Sequence, residues 1–487
     1  MDQGQGLKVL FVAAEAAPFA KVGGLAEFSA ALPKALHRMG ADVRVMLPRY
    51  GDRSHEDEPR LRKVGTSLRV PVGSSYESAH LLAAEGTEVP VYLIYNDQHF
   101  GNRDRVYGFN DDPQRFMFFS RAVIAALESL DWVPDVIHAN DWHTAPVLAW
   151  LETYGRRTEK FRETGSLYTI HNFAYQGTSG RLLLNYGQML DLTHLPVEPV
   201  GKVNWMAQGI ARADMVNTVS PTYAREMLEN DVTGDLQPLL IARRGSFCGI
   251  LSGIDTEAWD PSEDPALAQT YDLDSISMRS VNKTALQREL RLPAEFDVPL
   301  LGLVTRLDPL KGLDLLFASL EDVLTKHECQ FVILGIGKDE LAEQLQALQG
   351  RFPRSLRAIL RFDERLARRL YASLDVFVLP SRHESVSVAL MTAMRYGAVP
   401  VVRAIGGLAD VVVDVDARPD LGQGFTFTEY NAEALTRTIG RALAVYGDEA
   451  HWLALQRRAM ERDTSWASSA RAYLDLYGRA CDVRRGR

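Results

Sequence analysis

The stretch LKVLFVAAEAAPFAKVGGLAEFSAALPKALHRMG (7–40) decides the fold. Its first part, LKVLFVAA (7–14), is an unbroken apolar run that predicts a buried strand. The part LAEFSAALPKALHRMG (25–40) is typical of a helix that ends at a glycine, and ADVRVMLPRY (41–50) predicts the next strand. Apolar strands separated by helices indicate a parallel sheet that helices cover on both faces.

This alternation continues along the chain and restarts after about residue 255. Because one core rarely exceeds about 250–300 residues, the 487-residue chain is expected to form two domains. The Gly-, Asp-, Ser- and Pro-rich stretch GILSGIDTEAWDPSEDP (249–265) is the predicted hinge. We predict domains at 1–251 and 252–464, followed by an amphipathic helix within 465–487. The further predicted strands are PDVIHAND (134–141), SLYTIHN (166–172), DMVNTVS (214–220), LLGLVTR (300–306), QFVILGIG (330–337), RAILRF (357–362), VFVLP (376–380) and VPVVRA (399–404).

Composition excludes several classes of partner. The net charge of −9 would repel nucleic acid, whereas a neutral polysaccharide or a small anion in a basic pocket stays compatible with it. Three isolated cysteines, Cys248, Cys329 and Cys481, are typical of a reduced cytoplasm and argue against zinc or disulfide frameworks. The apolar run 9–14 ends at Glu15, too early for a signal peptide, and no apolar stretch reaches membrane-spanning length. We therefore expect a cytoplasmic protein without nucleic-acid or membrane partners, and its oligomeric state stays open.

The loop after the first strand is a candidate phosphate site. Gly23 and Gly24 precede a helix, where backbone N–H groups and the helix dipole favour an anion, and Lys21 adds a positive charge beside them. An ordinary strand–turn–helix connection with a solvated lysine has the same residues. The loop lacks the GxGxxG spacing, which argues against a nicotinamide cofactor.

The stretch KVGGL (21–25) resembles the lysine–x–glycine–glycine–leucine motif with which glycogen and starch synthases bind the diphosphate of ADP-glucose. Where that family has an aspartate two residues after the leucine, this chain has Glu27. The resemblance extends, in order, over YGFNDDPQRFMFFSRA (107–122), HANDWHTAPV (138–147), YTIHNFAYQG (168–177), GKVNWMAQGIARADMVNTVSPTYAREM (201–227), GIDTEAWDP (253–261), TRLDPLKGLDLL (305–316), PSRHES (380–385) and RYGAVPVVRAIGGLADVV (395–412).

The resemblance implies an α/β fold of two facing Rossmann-like domains of the GT-B type, with an interdomain cleft. It implies that 465–487 packs back on the first domain. The expected activity is retaining transfer of glucose from ADP-glucose to the non-reducing end of a glycogen-like α-1,4-glucan. No metal and no cofactor besides the donor is expected, because cationic side chains and backbone amides stabilise the leaving diphosphate in this family.

Two basic residues and one acidic residue are assigned by the resemblance in the second domain. Arg306 and Lys311 are expected to bind the diphosphate, since a guanidinium and an ammonium suit phosphate oxygens. From sequence alone, they could equally be surface residues that cap a turn. Glu384 is expected to accept hydrogen bonds from the donor glucose, and an acid at this position could also cap the following helix.

Five further residues are assigned in the same way. His171 follows an apolar strand and is expected at the reacting sugar, although a core histidine satisfied by backbone groups would show the same pattern. Asp141 is expected near the donor or the acceptor. Gly406 and Gly407 match the second phosphate-side turn, and Phe362 stands where the family has a tyrosine beside the adenine.

The chain departs from the family around the expected donor site. The usual glutamate–proline–cysteine–glycine is Glu384-Ser385-Val386-Ser387, and the threonine and glutamine that follow are replaced by Ala389 and Leu390. Ser252 replaces an asparagine and Ile405 a threonine. Two alternatives therefore stay open: a catalytically weakened homologue that binds glycan or nucleotide, and a transferase that prefers UDP- or GDP-glucose to ADP-glucose.

Overall fold

The computed structural model describes residues 6–51, 58–230, 233–361 and 363–486, and the chain divides into two compact units. Unit 1 comprises Met1–Ser252 and Trp466–Arg487, and unit 2 comprises Gly253–Ser465. Each of the two junctions lies one residue beyond the one predicted from the sequence.

Unit 1 is built on a large sheet of mainly parallel strands. Its strands are β1 (Lys8–Val12), β2 (Asp42–Pro48), β3 (Leu61–Val72), β4 (Ser75–Ala84), β5 (Val91–Tyr95), β6 (Val136–Asn140), β7 (Gly165–Ile170), β8 (Thr178–Gly180), β9 (Lys202–Asn204), β10 (Met215–Thr218) and β11 (Phe247–Gly249). Strands β8 and β9 form a separate ribbon, and within the described residues the others are ordered β11-β10-β7-β6-β1-β2-β5-β4-β3. The chain therefore adds strands in one direction from β1 to β2 and in the opposite direction from β6 to β7, so the strand order reverses between the parallel neighbours β1 and β6.

The central strands are parallel, as predicted, and they are buried. In β1, every residue from Val9 to Val12 is almost fully buried. One edge differs from the prediction, since β3 pairs antiparallel with β4, and β4 with β5. The sequence of β3, LRKVGTSLRVPV, intersperses charged and exposed residues with apolar ones, so no continuous apolar run marks this hairpin.

Helices cover both faces of this sheet and include the C-terminal one. They are α1 (Gly24–Arg38), α2 (Asp112–Ser129), α3 (Asp141–Thr153), α4 (Leu183–Tyr186), α5 (Trp205–Arg212), α6 (Pro221–Glu229), α7 (Gln237–Ala242) and α16 (Trp466–Arg485). Two buried tyrosines fix α16 to the strands: Tyr473 Oη accepts a hydrogen bond from Asn217 Nδ2 at 2.8 Å, and Tyr477 Oη lies 2.8 Å from His138 Nδ1.

Within its described residues, 253–361 and 363–465, unit 2 contains a six-stranded parallel sheet with helices between the strands. Its strands are β12 (Leu300–Val304), β13 (Gln330–Leu334), β14 (Leu356–Ile359), β15 (Val376–Leu379), β16 (Val399–Arg403) and β17 (Phe425–Phe427). Its helices are α8 (Arg279–Glu289), α9 (Leu313–Lys326), α10 (Asp339–Arg351), α11 (Glu364–Ser373), α12 (Val388–Arg395), α13 (Gly406–Val411), α14 (Ala432–Tyr446) and α15 (Glu449–Glu461).

The strand order of unit 2, β14-β13-β12-β15-β16-β17, is that of a Rossmann fold and reverses between β12 and β15. In open α/β sheets, ligands bind beyond the carboxyl ends of the strands at such a reversal. The loops after β12 and β15, and those after β1 and β6 in unit 1, are therefore the places where a site is expected. Among the helices that the structure describes, none has the length and apolar character that crossing a bilayer requires.

Replacement of Tyr473 by phenylalanine is expected to lower the free energy of unfolding by about 1–3 kcal/mol, because it leaves the buried Asn217 amide without its hydroxyl partner. Thermal and urea unfolding measure the change. The matched control is Tyr175→Phe, an exposed tyrosine of the same unit, which should stay within about 0.5 kcal/mol of wild type. Equal stability of both variants would show that this hydroxyl does not anchor α16.

Candidate active site

In unit 1, the strand reversal brings together the loops that follow β1 and β6. Asp141 is the first residue of α3, directly after β6, and its backbone adopts a left-handed conformation with φ 56°. This conformation is uncommon for residues other than glycine, although Asp and Asn adopt it more readily than most, and such conformations are frequent at functional sites. Its Oδ1 accepts hydrogen bonds from the backbone N–H groups of His171, at 2.8 Å, and Asn172, at 3.4 Å.

The carboxyl of Asp141 is buried and forms no ion pair within residues 6–51, 58–230, 233–361 and 363–486. Burial raises the pKa of Asp141 to about 7, because the two backbone hydrogen bonds offset only part of the lost hydration. The group is therefore poised between its neutral and charged forms near physiological pH.

His171 follows β7 and lies next to Asp141. Its Nε2 is 2.9 Å from Asn140 Oδ1, and Asn140 Nδ2 donates to the Val12 carbonyl at 3.0 Å. Since the Asn140 nitrogen donates to Val12, the atom that faces His171 is the amide oxygen, which only accepts. Nε2 of His171 therefore carries the proton, and Nδ1 of the neutral ring does not. Burial lowers the pKa of His171 to about 3, so the imidazole is neutral at physiological pH. Its ring is thus held by a side chain rather than by backbone groups.

The predicted phosphate turn of unit 1 is exposed, and part of it is already engaged. The backbone N–H groups of Val22 and Gly23 donate to Glu15 Oε2 at 2.7 and 3.0 Å. The Gly23 amide, which the sequence assigns to a phosphate, therefore contacts a carboxylate of the chain itself. Lys21 pairs with Glu27 at 2.7 Å, and Gly24 begins α1.

In unit 2, the strand reversal brings Lys311 and Glu384 into contact. Lys311 ends a 3₁₀ turn after β12, and its Nζ lies 2.8 and 2.7 Å from the two carboxylate oxygens of Glu384, which follows β15. Ser381 Oγ donates to the same carboxylate at 2.9 Å. Helix α12 is capped by Ser387, so the interpretation of Glu384 as a helix cap is wrong.

A glycine makes this contact possible. Gly312 has φ 70°, and a Cβ atom on it would lie only 1.9 Å from the Pro380 carbonyl oxygen. The close approach lets the backbone N–H of Arg382 donate to the Leu310 carbonyl at 2.8 Å, which joins the two loops. Lys311 therefore reaches Glu384 because no side chain separates the loop after β12 from the loop after β15.

The second Gly-Gly turn lies against the same loop. The Gly407 N–H donates to the Glu384 and Ser385 carbonyls at 3.3 and 3.1 Å, and a Cβ on Gly407 would meet the Ser385 oxygen at 2.6 Å. Gly406 begins α13 with φ 42°. The structure thus brings this turn together with the loop that carries Glu384.

Two predicted residues stand apart from these contacts. Arg306 is exposed two residues after β12, and in the part of the chain that the structure describes no carboxylate forms an ion pair with it. Phe362, expected beside the adenine, lies outside the described residues. Within those residues, no three or more His, Cys, Asp and Glu side chains are grouped as metal ligands.

Two of the departures from the family fall where the backbone is extended and suits any residue. Ser387, at the glycine position, has φ −124°, which any residue adopts, and its Oγ accepts from the Leu390 N–H at 3.2 Å. Ile405 is likewise extended, with φ −136°. Ser252 is different, because its buried hydroxyl has no hydrogen-bond partner among the described residues.

Sequence reasoning missed Glu15, Tyr107, Ser381 and Gly312. The Tyr107 hydroxyl donates to Glu15 Oε1 at 2.6 Å, and the other contacts are given above. One signal was available for Glu15: a charged residue directly after a buried strand stands at the carboxyl edge of the sheet. Gly312 follows Lys311 in PLKGLDLL, where a glycine before a helix indicates a tight turn.

Comparison with known proteins gives matches over both units. Residues 8–242 match the starch synthase catalytic domain family, and residues 291–454 match the glycosyl transferases group 1 family. The glycogen synthase of Moorella thermoacetica is 43% identical, over 98% of this chain and 98% of its own length. Glycogen synthase 2 of Geobacter sulfurreducens is 41% identical, over 99% of this chain and 100% of its own.

Solved structures agree with this result. The catalytic domain of starch synthase IV from Arabidopsis thaliana, bound to ADP and acarbose, matches with a TM-score of 0.91 at 33% identity, covering 98% of this chain and 100% of that one. The sucrose-phosphate synthase of Thermosynechococcus elongatus matches with a TM-score of 0.60 at 17% identity, over 97% of this chain and 98% of its own, and this likeness shows the fold alone.

The titration of Asp141 gives a pH-dependent stability. Between pH 4 and 7 the folded protein keeps a proton that an aspartate in the unfolded chain has lost, so stability falls as the pH rises through this window. For Asp141 the decrease is about 1.4 kcal/mol per pH unit. Asp141→Asn keeps an acceptor and tolerates φ 56° but does not titrate.

We expect wild type to lose stability relative to Asp141→Asn as the pH is raised from 5 to 7, and the variant to be the more stable protein at pH 8. Urea unfolding at each pH measures both. Parallel stability curves for the two proteins would contradict a proton bound at Asp141.

Proposed function

The chain belongs to the glycogen and starch synthase family of glycosyltransferases, and from this premise we propose that it transfers glucose from ADP-glucose to the non-reducing end of an α-1,4-glucan, with retention of configuration. The observation that carries the proposal is the Lys311–Glu384 contact at the strand reversal of unit 2. This is where an open α/β sheet binds its ligand, and the contact holds a cation and a carboxylate together there.

The leaving group of such a transfer is a nucleoside diphosphate, whose negative charge grows as the bond to the sugar breaks. Preorganised cations stabilise that charge without reorganising during the reaction. Lys311 has three N–H groups, of which two point to Glu384, so a third is left for a phosphate oxygen. Arg306 adds a positive charge that no described carboxylate neutralises, and its planar fork suits two phosphate oxygens.

The transferred glucose becomes oxocarbenium-like as the diphosphate leaves. We assign Glu384 to the sugar hydroxyls, since Lys311 and Ser381 hold its carboxylate in one orientation. His171 is neutral, so it does not oppose positive charge at the sugar, and its unprotonated Nδ1 and backbone carbonyl are both acceptors. Asp141 fixes the His171 backbone by accepting from its N–H.

The choice of ADP-glucose as donor rests on two observations. The related starch synthase IV domain binds ADP, and its chain is covered completely by the match. At the substituted position Ser387, the backbone of this chain keeps a conformation that a glycine-to-serine change does not strain. The serine at 387 therefore adds a side chain at the expected donor site without straining the backbone.

The decisive experiment incubates the purified protein with radiolabelled ADP-, UDP- and GDP-glucose, each with glycogen, and measures label in the polymer. We expect the highest kcat/KM with ADP-glucose. A higher kcat/KM with UDP- or GDP-glucose would show that this nucleotide sugar, and not ADP-glucose, is the preferred donor. No incorporation from any of the three, with glycogen still bound, would identify a binding protein and reject the transferase.

Arg306→Ala is the cleanest test of the diphosphate role, because the side chain is exposed and unpaired among the described residues. We expect kcat/KM for ADP-glucose to fall about 100-fold or more, as for other lost charge-stabilising groups, with stability within about 0.5 kcal/mol of wild type. The matched control is Arg354→Ala, an exposed arginine that precedes β14 and so lies at the amino edge of the same sheet.

Wild-type kcat/KM in Arg306→Ala, or an equal loss in Arg354→Ala, would remove the proposed role. Lys311→Ala is a less direct variant. It leaves the buried Glu384 carboxylate without its cation, which costs about 3–5 kcal/mol when a buried pair is broken, so activity and stability would fall together.

Chelation tests the expectation that no metal is needed. Because Arg306 and Lys311 supply the positive charge in this proposal, dialysis against EDTA should leave the initial rate unchanged. The control adds Mg²⁺ or Mn²⁺ back to the dialysed protein. A rate that falls on chelation and returns with one metal would show that side chains alone do not stabilise the leaving diphosphate.

A further inference from the structure

Glu15 carries a buried carboxylate to which neither the resemblance nor the proposed mechanism assigns a role. It follows β1 at the strand reversal of unit 1 and is 4% exposed. In the described parts of the chain, no lysine or arginine forms an ion pair with it. It accepts three hydrogen bonds instead: from the backbone N–H groups of Val22 and Gly23, and from the Tyr107 hydroxyl.

The partners of Glu15 come from two segments that are distant in sequence. Val22 and Gly23 belong to the turn KVGG (21–24), named here the phosphate turn. Tyr107 begins YGFNDDPQRFMFFSRA (107–122), a segment that the sequence comparison singles out without a function. The carboxylate bridges the two segments, with Oε2 bound to the phosphate turn and Oε1 bound to Tyr107.

The Tyr107 side is rigidly built. The Tyr107 ring packs 4.8 Å from the ring of His143 and 6.0 Å from that of Phe116, measured between centroids. The following backbone is fixed by Asp112, whose Oδ2 accepts from the N–H groups of Gly108 and Phe109 at 2.8 and 3.2 Å. The hydroxyl therefore sets the position of Glu15 Oε1, and Oε2 in turn reaches the phosphate turn.

The Glu15 carboxylate is buried, and its described partners are hydrogen-bond donors rather than a cation. A carboxylate out of water is destabilising unless hydrogen bonds replace its hydration, and hydrogen bonds to a charged acceptor are stronger than those between neutral groups. Two of the three bonds come from the phosphate turn. If the turn moved away, the buried charge would lose most of its partners, so Glu15 penalises every other conformation of the turn.

We propose that Glu15 is a positioning residue that holds the phosphate turn in its anion-binding conformation, with Tyr107 orienting its carboxylate. The inference rests on the proposed function for the identity of the anion, the diphosphate of the donor. The Gly23 amide, expected at the phosphate, donates to Glu15 and so ties the turn to this carboxylate. Lys21, in the same turn, is then the group that Glu15 places.

The first experiment needs no activity. Hydrogen–deuterium exchange of the nucleotide-free protein is measured over peptides that contain Val22 and Gly23. In Glu15→Ala we expect exchange at least tenfold faster than in wild type, because both N–H groups lose their acceptor. Glu15→Gln keeps a carboxamide oxygen and should be intermediate. The control, Glu88→Ala, removes a carboxylate bound to Arg38 at the opposite end of α1 and should leave this exchange unchanged.

The second experiment separates positioning from general damage. We expect Glu15→Ala to raise KM for ADP-glucose about tenfold or more while KM for glycogen stays at the wild-type value, with partial recovery in Glu15→Gln. Tyr107→Phe removes one hydrogen bond and should raise KM for ADP-glucose about two- to fivefold. In the Glu15→Ala background the same tyrosine change should have no further effect, because the two side chains act through one contact.

Unchanged exchange at Val22 and Gly23 in Glu15→Ala would overturn the inference, and so would equal increases in the two KM values or full additivity of the double variant. If wild type incorporates no glucose, the proposed function fails, while faster exchange in Glu15→Ala still supports the positioning of the turn. If wild type incorporates glucose and exchange in Glu15→Ala is unchanged, the proposed function is supported and Glu15 has no positioning role.

Discussion

The arrangement of both units depends on one constraint: parallel strands whose crossovers run in opposite directions leave an open crevice at their carboxyl ends. The reversal lies between β1 and β6 in unit 1 and between β12 and β15 in unit 2. Polar side chains would destabilise the middle of a buried strand, but they are tolerated directly after its carboxyl end, next to this crevice. Asp141 follows β6 and Glu384 follows β15, so each unit has a buried carboxylate at its reversal.

Burial on both faces makes the central strands predictable, since it requires unbroken apolar runs. Strands such as β1 and β13 were therefore located from the sequence to within a few residues, and the two-unit α/β class is confirmed. The β3–β4 hairpin was missed for the opposite reason. It lies at a sheet edge with one face in water, where interspersed charged residues mark a strand only weakly and an antiparallel partner cannot be inferred.

For the candidate active site, the sequence indicated which residues to consider but not which of them contact one another. Family motifs pointed to Lys311 and Glu384, yet 73 residues separate them, and only the folded chain shows that they bind each other. Substituting a lysine that is paired with a buried carboxylate has a larger effect on stability than substituting an unpaired lysine, because the carboxylate is left buried without its cation. Glu15 was overlooked because a lone acid in a short loop is usually solvated, and its burial depends on Tyr107, 92 residues further along.

The backbone decides which of three positions near Glu384 can hold a side chain. Ser387 stands where the family is expected to have a glycine; its φ of −124° is one that any residue adopts, and its hydroxyl caps α12. Gly312 and Gly407 have no such freedom, because a Cβ on either would overlap a carbonyl oxygen of the loop that carries Glu384. Substitution at those two glycines would separate Lys311 and α13 from Glu384, whereas the serine at 387 leaves that contact intact. The chemistry of unit 2 therefore rests more on the spacing between its loops than on the side chains that have changed within them.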